Sequence, residues 1–214
     1  MPRKKRQLDR DAGVVRDATL MIIASEDKYA VENYFQRFRT KKVQFRVLPT
    51  LDCNADPQSV LARIDEFRKT EEVEDQDVFW ICIDSDHWVA GGHIQNLVEV
   101  LQECRQKGYE VAINIPCFEL WFLLHFADYD PPPGIDHVRC NEAVRQLEAA
   151  IGHRYHKNKC NRIKISTLQV LEAVRRARVL DPDDNIMPGQ PSARIYKIVE
   201  MLQERDSIVL RNGP

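Results

Sequence analysis

Three acidic residues stand where an ion-binding cleft would need them. Glu26 follows the apolar run ATLMIIA at 18–24, and Asp84 and Asp86 follow the apolar run VFWICI. Residues two apart on extended backbone share a face, so both aspartates can point into one cleft. Magnesium prefers oxygen ligands and takes only a few carboxylates, leaving room for water and phosphate. Manganese accepts the same donors. Such an ion polarises a phosphodiester and lowers the pKa of an attacking water. A bare D-x-D is a weak signal, because acids at strand ends also cap helices or line solvated loops. Its place after the most apolar run of the chain, with Glu26 after the first such run, is what strengthens it.

The segment NIPCFELWFLLHF at 114–126 is the sharpest local feature. Glu119 and His125 lie there among aromatic and aliphatic residues. A charged glutamate in such a setting is costly unless it is paired, hydrogen-bonded or beside a metal. The two are six apart, so they are not neighbours on one helical face. His125, with an unperturbed pKa of ~6.5, is a candidate for protonating a leaving group. A satisfied structural carboxylate and a partly buried histidine are the plainer alternative. Further on, Lys157, Lys159 and Arg162 in RYHKNKCNRIK are candidate phosphate contacts, since cations along a backbone give affinity without reading sequence. A merely solvated basic segment explains these three equally well.

The elements that must position these groups alternate. The run at 18–24 suits a strand buried on both faces, and the aromatic spacing after Tyr29 predicts a helix over 29–39. KVQFRVL at 42–48 alternates as a strand. Asp56-Pro57 is a helix start with proline at the first position. A third strand ends at Ile83, a helix over 95–107 closes at Gly108, and YEVAI at 109–113 is a fourth strand. This order predicts an α/β fold with a mostly parallel sheet and helices on both faces. In such sheets functional groups collect at the carboxyl ends of strands, where Glu26, Asp84 and Asp86 fall. The DPPPG break at 130–134 separates this core from predicted helices at 141–151, 166–180 and 193–204. The expected division is a basic arm over 1–16, an α/β core over 17–128 and a helical C-terminal region over 129–214 packed on it.

The whole chain sets bounds on these readings. Its 214 residues are 43% hydrophobic and 30% charged, enough for a real core and far from a disordered composition. No apolar run approaches the ~18–20 residues that span a bilayer. MPRKKRQLDRD carries no apolar secretory stretch, so a soluble, cytoplasmic protein is expected. A net charge of −2 gives no global nucleic-acid signature, although Arg3, Lys4, Lys5 and Arg6 form a local basic arm. The six cysteines show no C-x-x-C pair and read as buried free thiols. His153-x-x-His156 with Cys160 lacks a fourth zinc ligand at sensible spacing.

The segment NIPCFELWFLLHF resembles the N-P-x-F-E-x-W-x-x-x-H signature of RloB-like proteins, encoded near bacterial restriction and anti-phage loci. SEDKYAVENYF is similar to that family's C-E-G-x-x-T-E-x-x-Y-F segment, IDSDH to its D-x-D, and PSARIYKIVEML to its tail. The resemblance implies a TOPRIM-like fold, in which a strand-end glutamate and a D-x-D pair bind magnesium for cutting or rejoining nucleic-acid backbones. By position, Glu26 matches the glutamate, and Asp84 and Asp86 match the pair. Asn114, Pro116, Glu119, Trp121 and His125 match the signature. Asp27 stands where the family has glycine, and Val31 where it has the second glutamate of a T-E pair. The implied activity is magnesium-dependent hydrolysis of RNA or DNA in antiviral defence by abortive infection, with manganese as a substitute ion. An ATPase or another defence protein is an expected partner, and homo-oligomerisation is left open. The alternative is a catalytically altered TOPRIM-like sensor or adaptor, which Asp27 and Val31 favour.

Overall fold

The computed structural model describes residues 18–50, 56–86, 88, 94–131, 139–183, 185–188 and 191–211. The basic arm with Arg3, Lys4, Lys5 and Arg6, the thiol of Cys53 and most of the proline-rich break lie outside the described residues.

Five strands make one sheet: β1 (Thr19–Ser25), β2 (Val43–Leu48), β3 (Val78–Asp84), β4 (Glu110–Ile115) and β5 (Ser192–Ala193), in the order β2-β1-β3-β4-β5. The first four run parallel, as the alternation of strand and helix predicts. β1 and β3 are central, which explains why both are nearly continuous apolar runs, whereas edge strand β2 alternates and is mostly half-buried. β5 was not expected. It joins antiparallel to β4, with Ala193 opposite Asn114, and two residues are too few to carry a periodic signal.

Successive residues of the central strands feed opposite layers. Leu20, Ile22, Phe79 and Ile81 pack with α2 (Pro57–Thr70) and α3 (Ile94–Gln106). Met21, Ile23, Trp80 and Cys82 pack with α1 (Ala30–Phe35), α4 (Phe118–Leu124), α5 (Cys140–Ile151), α6 (Thr167–Leu180) and α7 (Ile195–Arg205). The architecture is therefore α/β with helices on both faces and a helical C-terminal segment, consistent with a TOPRIM-like fold. α4 is buried all round, so its lack of a polar stripe is what its position demands. Among the described residues no helix is long and apolar enough to cross a membrane.

Local signals set the helix ends. The Asp56 side chain accepts from the Ser59 N–H at 2.9 Å, and Pro57 needs no partner for a missing N–H. Ser166 and Gln169 form a capping box at the start of α6. Gly108, at φ 72°, turns the chain out of α3 in a left-handed conformation that glycine adopts freely. α1 is shorter than the expected 29–39: Arg37 leaves helical geometry and donates to the Ile163 carbonyl at 2.5 Å and to the Cys160 carbonyl. That ties α1 to a 3-10 helix over Lys157–Arg162.

The cysteine expectation needs a correction. Cys117 and Cys140 form a disulfide, while Cys82, Cys104 and Cys160 are free and buried. The fold brings the α4 N-cap and the first residue of α5 to a Cα separation of 5.5 Å, inside the bridging range. A separation of 23 residues with no patterned spacing gave no hint of it. The zinc alternative is not assembled: His153 is exposed and Cys160 buried.

Candidate functional site

Parallel pairing levels the carboxyl ends of β1 and β3. Ser25 is in register with Cys82, and the Glu26 N–H donates to the Cys82 carbonyl at 3.4 Å. Glu26 then turns its carboxylate across the strand ends, where Oε1 accepts from the Asp84 N–H at 2.5 Å. On the other side Asp84 is opposite Asn114 of β4, whose Nδ2 donates to Asp84 Oδ1 at 3.1 Å. The turn after β3 is fixed by the same segment. The Ser85 N–H donates to the carbonyls of Asn114 and Pro116, and the Asp86 N–H donates to the Pro116 carbonyl at 3.1 Å. The Ile115–Pro116 bond is cis. The N-x-P portion of NIPCFELWFLLHF thus shapes the D-S-D turn.

α4 brings in Glu119, which is fully buried. The 3-10 helix brings in Lys157, whose Nζ lies 3.4 Å from Glu119 Oε1 and 3.2 Å from Asp27 Oδ2. The other oxygen of Asp27 accepts from the Tyr29 N–H at 2.7 Å and from the Ala30 N–H, which anchors the start of α1. Asp27, a departure from the family pattern, therefore adds a charge that Lys157 offsets. Val31 is buried in the core and faces none of these groups through a polar atom.

Burial dominates the electrostatics. It raises the Glu26 carboxyl well above the usual range, and Asp84 and Asp86 push it further. Burial and then Glu119 raise Asp84, against the opposing pull of Lys157 and Asn114. Glu119 is raised by burial, with Lys157 opposing. Burial alone would lower the Lys157 ammonium, but Glu119, Asp27 and Asp84 outweigh it and hold it above the ordinary lysine range.

The donor set suits a hard cation. Buried carboxylates of like charge repel unless a positive centre joins them. Asn114 Oδ1 is buried without a hydrogen-bond partner. Glu26, Asp84 and Asp86 adjoin without closing into a cage. Among the described residues, the only three ligand-type atoms within 4.8 Å of one another belong to Cys117, Glu119 and Cys140. Two of those are sulfurs joined to each other, which does not make an ion site.

The remaining sequence candidates sit elsewhere. Lys159 and Arg162 are exposed on the 3-10 helix, and neither pairs with the acids. His125 is 1% exposed and ringed by Tyr34, Trp121 and Phe122. Its Nδ1 lies 2.8 Å from the Trp121 carbonyl and its Nε2 3.1 Å from the Tyr34 hydroxyl. That pairing assigns a neutral ring with the proton on Nδ1, and burial lowers its pKa to about 3. A ring so enclosed does not reach the acids, so leaving-group protonation by His125 is withdrawn. Sequence reasoning did not foresee Lys157 as the partner of Asp27 and Glu119, because the contacts join segments 130 and 38 residues apart.

The family model for RloB-like proteins matches residues 21–202. The chain belongs to the RloB-like family. Among curated proteins and among solved structures, nothing matches the chain. The RloB-like match runs from within β1 through most of α7, so Glu26, Asp84, Asp86, Glu119 and Lys157 all fall inside it.

Proposed function

We propose that this RloB-like protein is a magnesium-dependent nuclease that hydrolyses nucleic-acid phosphodiesters as an effector of anti-phage defence. The observation that carries the reading is the junction of Glu26 and Asp84. The Glu26 carboxylate accepts from the Asp84 N–H across the ends of β1 and β3, and burial with acidic neighbours raises both carboxyls, which supports a site that gathers a cation. Glu26, Asp84 and Asp86 would hold the magnesium ion, with manganese as a substitute. When bound, the ion supplies charge neutralisation at the phosphodiester and acidifies water.

The chain's own groups divide the rest of the work. Asn114 fixes the rotamer of Asp84 through its 3.1 Å hydrogen bond, and Pro116 fixes the backbone of Asp86. Glu26 would serve either as a further ligand of the ion or, in place of that, as the base that takes a proton from water. Lys157 offers a positive end toward a phosphate oxygen, and Lys159 and Arg162 extend that charge along the exposed side of the 3-10 helix. Lys157 offsets the extra charge of Asp27, while the missing carboxylate at Val31 is what still favours the sensor or adaptor alternative. A nuclease of this kind needs restraint, so an ATPase or a neighbouring defence protein is the proposed partner.

The test is to incubate the protein, and an Asp84→Ala/Asp86→Ala variant, with tRNA, mRNA, single-stranded DNA and plasmid in magnesium, manganese or EDTA. Metal-dependent cutting by the parent alone is expected and names the substrate. Folded proteins that cut nothing, even with the partner ATPase added, would replace the nuclease by the sensing reading.

A further inference from the structure

We infer that Lys157 is a built-in second cation of the acid cleft, so that the site takes a single divalent ion and the lysine itself contacts the scissile phosphate. The inference rests on the nuclease reading and specifies its metal count and a further catalytic residue. The acids differ in what they contact, and Glu119 and Lys157 lie close enough to act on Asp84 as well. Glu26 adjoins Asp84 at the strand ends, with Asp86 on the turn beyond. Asp27 and Glu119 lie on the helix side, and Lys157 bridges them at 3.2 and 3.4 Å. The side chains of these two are 7% and 0% exposed, so their charges have little water to meet.

Two-ion phosphodiester sites need carboxylates shared between ions ~3.5–4 Å apart. Here the helix-side carboxylates already have a positive partner supplied by the chain, which leaves the strand-side acids for one ion. The lysine is not sealed in: its side chain is 48% exposed, so its ammonium can meet a phosphate oxygen while Asp27 and Glu119 hold it. A lysine serves such an oxygen as a compact point charge. Glu119, which has no sequence neighbour to offset it, is thereby explained as the buried half of the lysine's seat.

The experiment counts Mn2+ bound at saturation, by electron paramagnetic resonance of the free ion. It uses the parent and the Lys157→Arg, Lys157→Gln, Glu119→Gln, Lys157→Gln/Glu119→Gln and Asp84→Ala/Asp86→Ala variants. The parent and the arginine variant are expected to bind one ion. Lys157→Gln is expected to bind two, because Asp27 and Glu119 become available, and removal of Glu119 in the double variant returns the count to one. Two ions in the parent, or one in a folded Lys157→Gln protein, would overturn the inference. Should Lys157→Gln not fold, the double variant, which leaves no unpaired buried carboxylate at Glu119, decides by kinetics. A fall in kcat of about 100-fold relative to Glu119→Gln, with KM little changed, marks a group that acts on the reacting phosphate. A rise in KM with kcat preserved marks a peripheral contact and overturns it. A count unchanged by Asp84→Ala/Asp86→Ala would instead remove the metal reading, and the inference with it. The ion counts do not depend on cleavage being seen.

Discussion

Replacing His125 by glutamine separates a buried structural ring from a proton donor. The ring is 1% exposed, with its two nitrogens on the Trp121 carbonyl and the Tyr34 hydroxyl, and burial lowers its pKa to about 3. In the unfolded chain the ring titrates near ~6.5. Between these values the unfolded chain holds more protons, so stability from this group is fully present above ~6.5 and is lost as pH falls toward about 3. From ~6.5 down to pH 5 the loss is ~2 kcal/mol at ~1.36 kcal/mol per pH unit. The raised carboxyls of Glu26, Asp84 and Glu119 act in the opposite direction, so the diagnostic quantity is the difference between parent and variant. Glutamine can still accept from Tyr34 and does not titrate. Urea melts at several pH values should show the acid-side slope of His125→Gln shallower by ~2 kcal/mol between ~6.5 and pH 5. In proton NMR the His125 ring should not titrate between pH 5.5 and 8. An equal slope in both proteins, or a ring that titrates near 6.5, would refute the reasoning and restore His125 as a candidate acid.

The raised carboxyls predict that, in EDTA, stability falls as pH rises from the ordinary carboxylate range through their folded pKa values, and that Glu26→Gln flattens this trend in thermal melts. Divalent affinity should rise over the same range, because ligation needs the deprotonated forms; calorimetric titration of Mn2+ at pH 6 and pH 8 measures it. Arg194 pairs with Asp181 at 2.6 Å in the interior and also donates to the carbonyls of Asp183 and Asn185, so Arg194→Met, which strands a buried charge, should cost ~3–5 kcal/mol in urea unfolding. The Cys117–Cys140 bridge closes a 23-residue separation, for which chain entropy gives ~3 kcal/mol, so Cys117→Ser/Cys140→Ser should lower the free energy of urea unfolding by that amount, while peptide mapping of the unreduced parent finds Cys82, Cys104 and Cys160 as free thiols.

The parts of this fold that sequence showed are those governed by local pattern. The central strands β1 and β3 stood out because burial on both faces leaves no polar residue in 20–24 or 78–83. Asp56-Pro57, Ser166 and Gly108 mark helix ends by chemistry that acts within a few residues. The position of Glu26 and Asp84 at strand ends was legible for the same reason, and parallel pairing then made them neighbours. What escaped depends on distant contacts. β5 exists because a two-residue stretch meets β4, and the disulfide exists because α4 and α5 start side by side. Lys157 looked like any cation of a basic segment, and only folding seats it between Asp27 and Glu119. His125 was judged by residue type, whereas its chemistry is set by the aromatic cage around it.

The most direct test of the central claim is a cleavage time course on whichever of tRNA, mRNA, single-stranded DNA or plasmid the protein cuts, started in magnesium, stopped with EDTA and restarted with excess magnesium. It is run on the parent and on Glu26→Gln and Asp84→Asn proteins whose melts confirm folding. The account predicts cutting that stops and resumes with the ion in the parent, and a loss of at least about 100-fold in both variants. Cutting that continues in EDTA, or variants that cut at the parental rate, would contradict it.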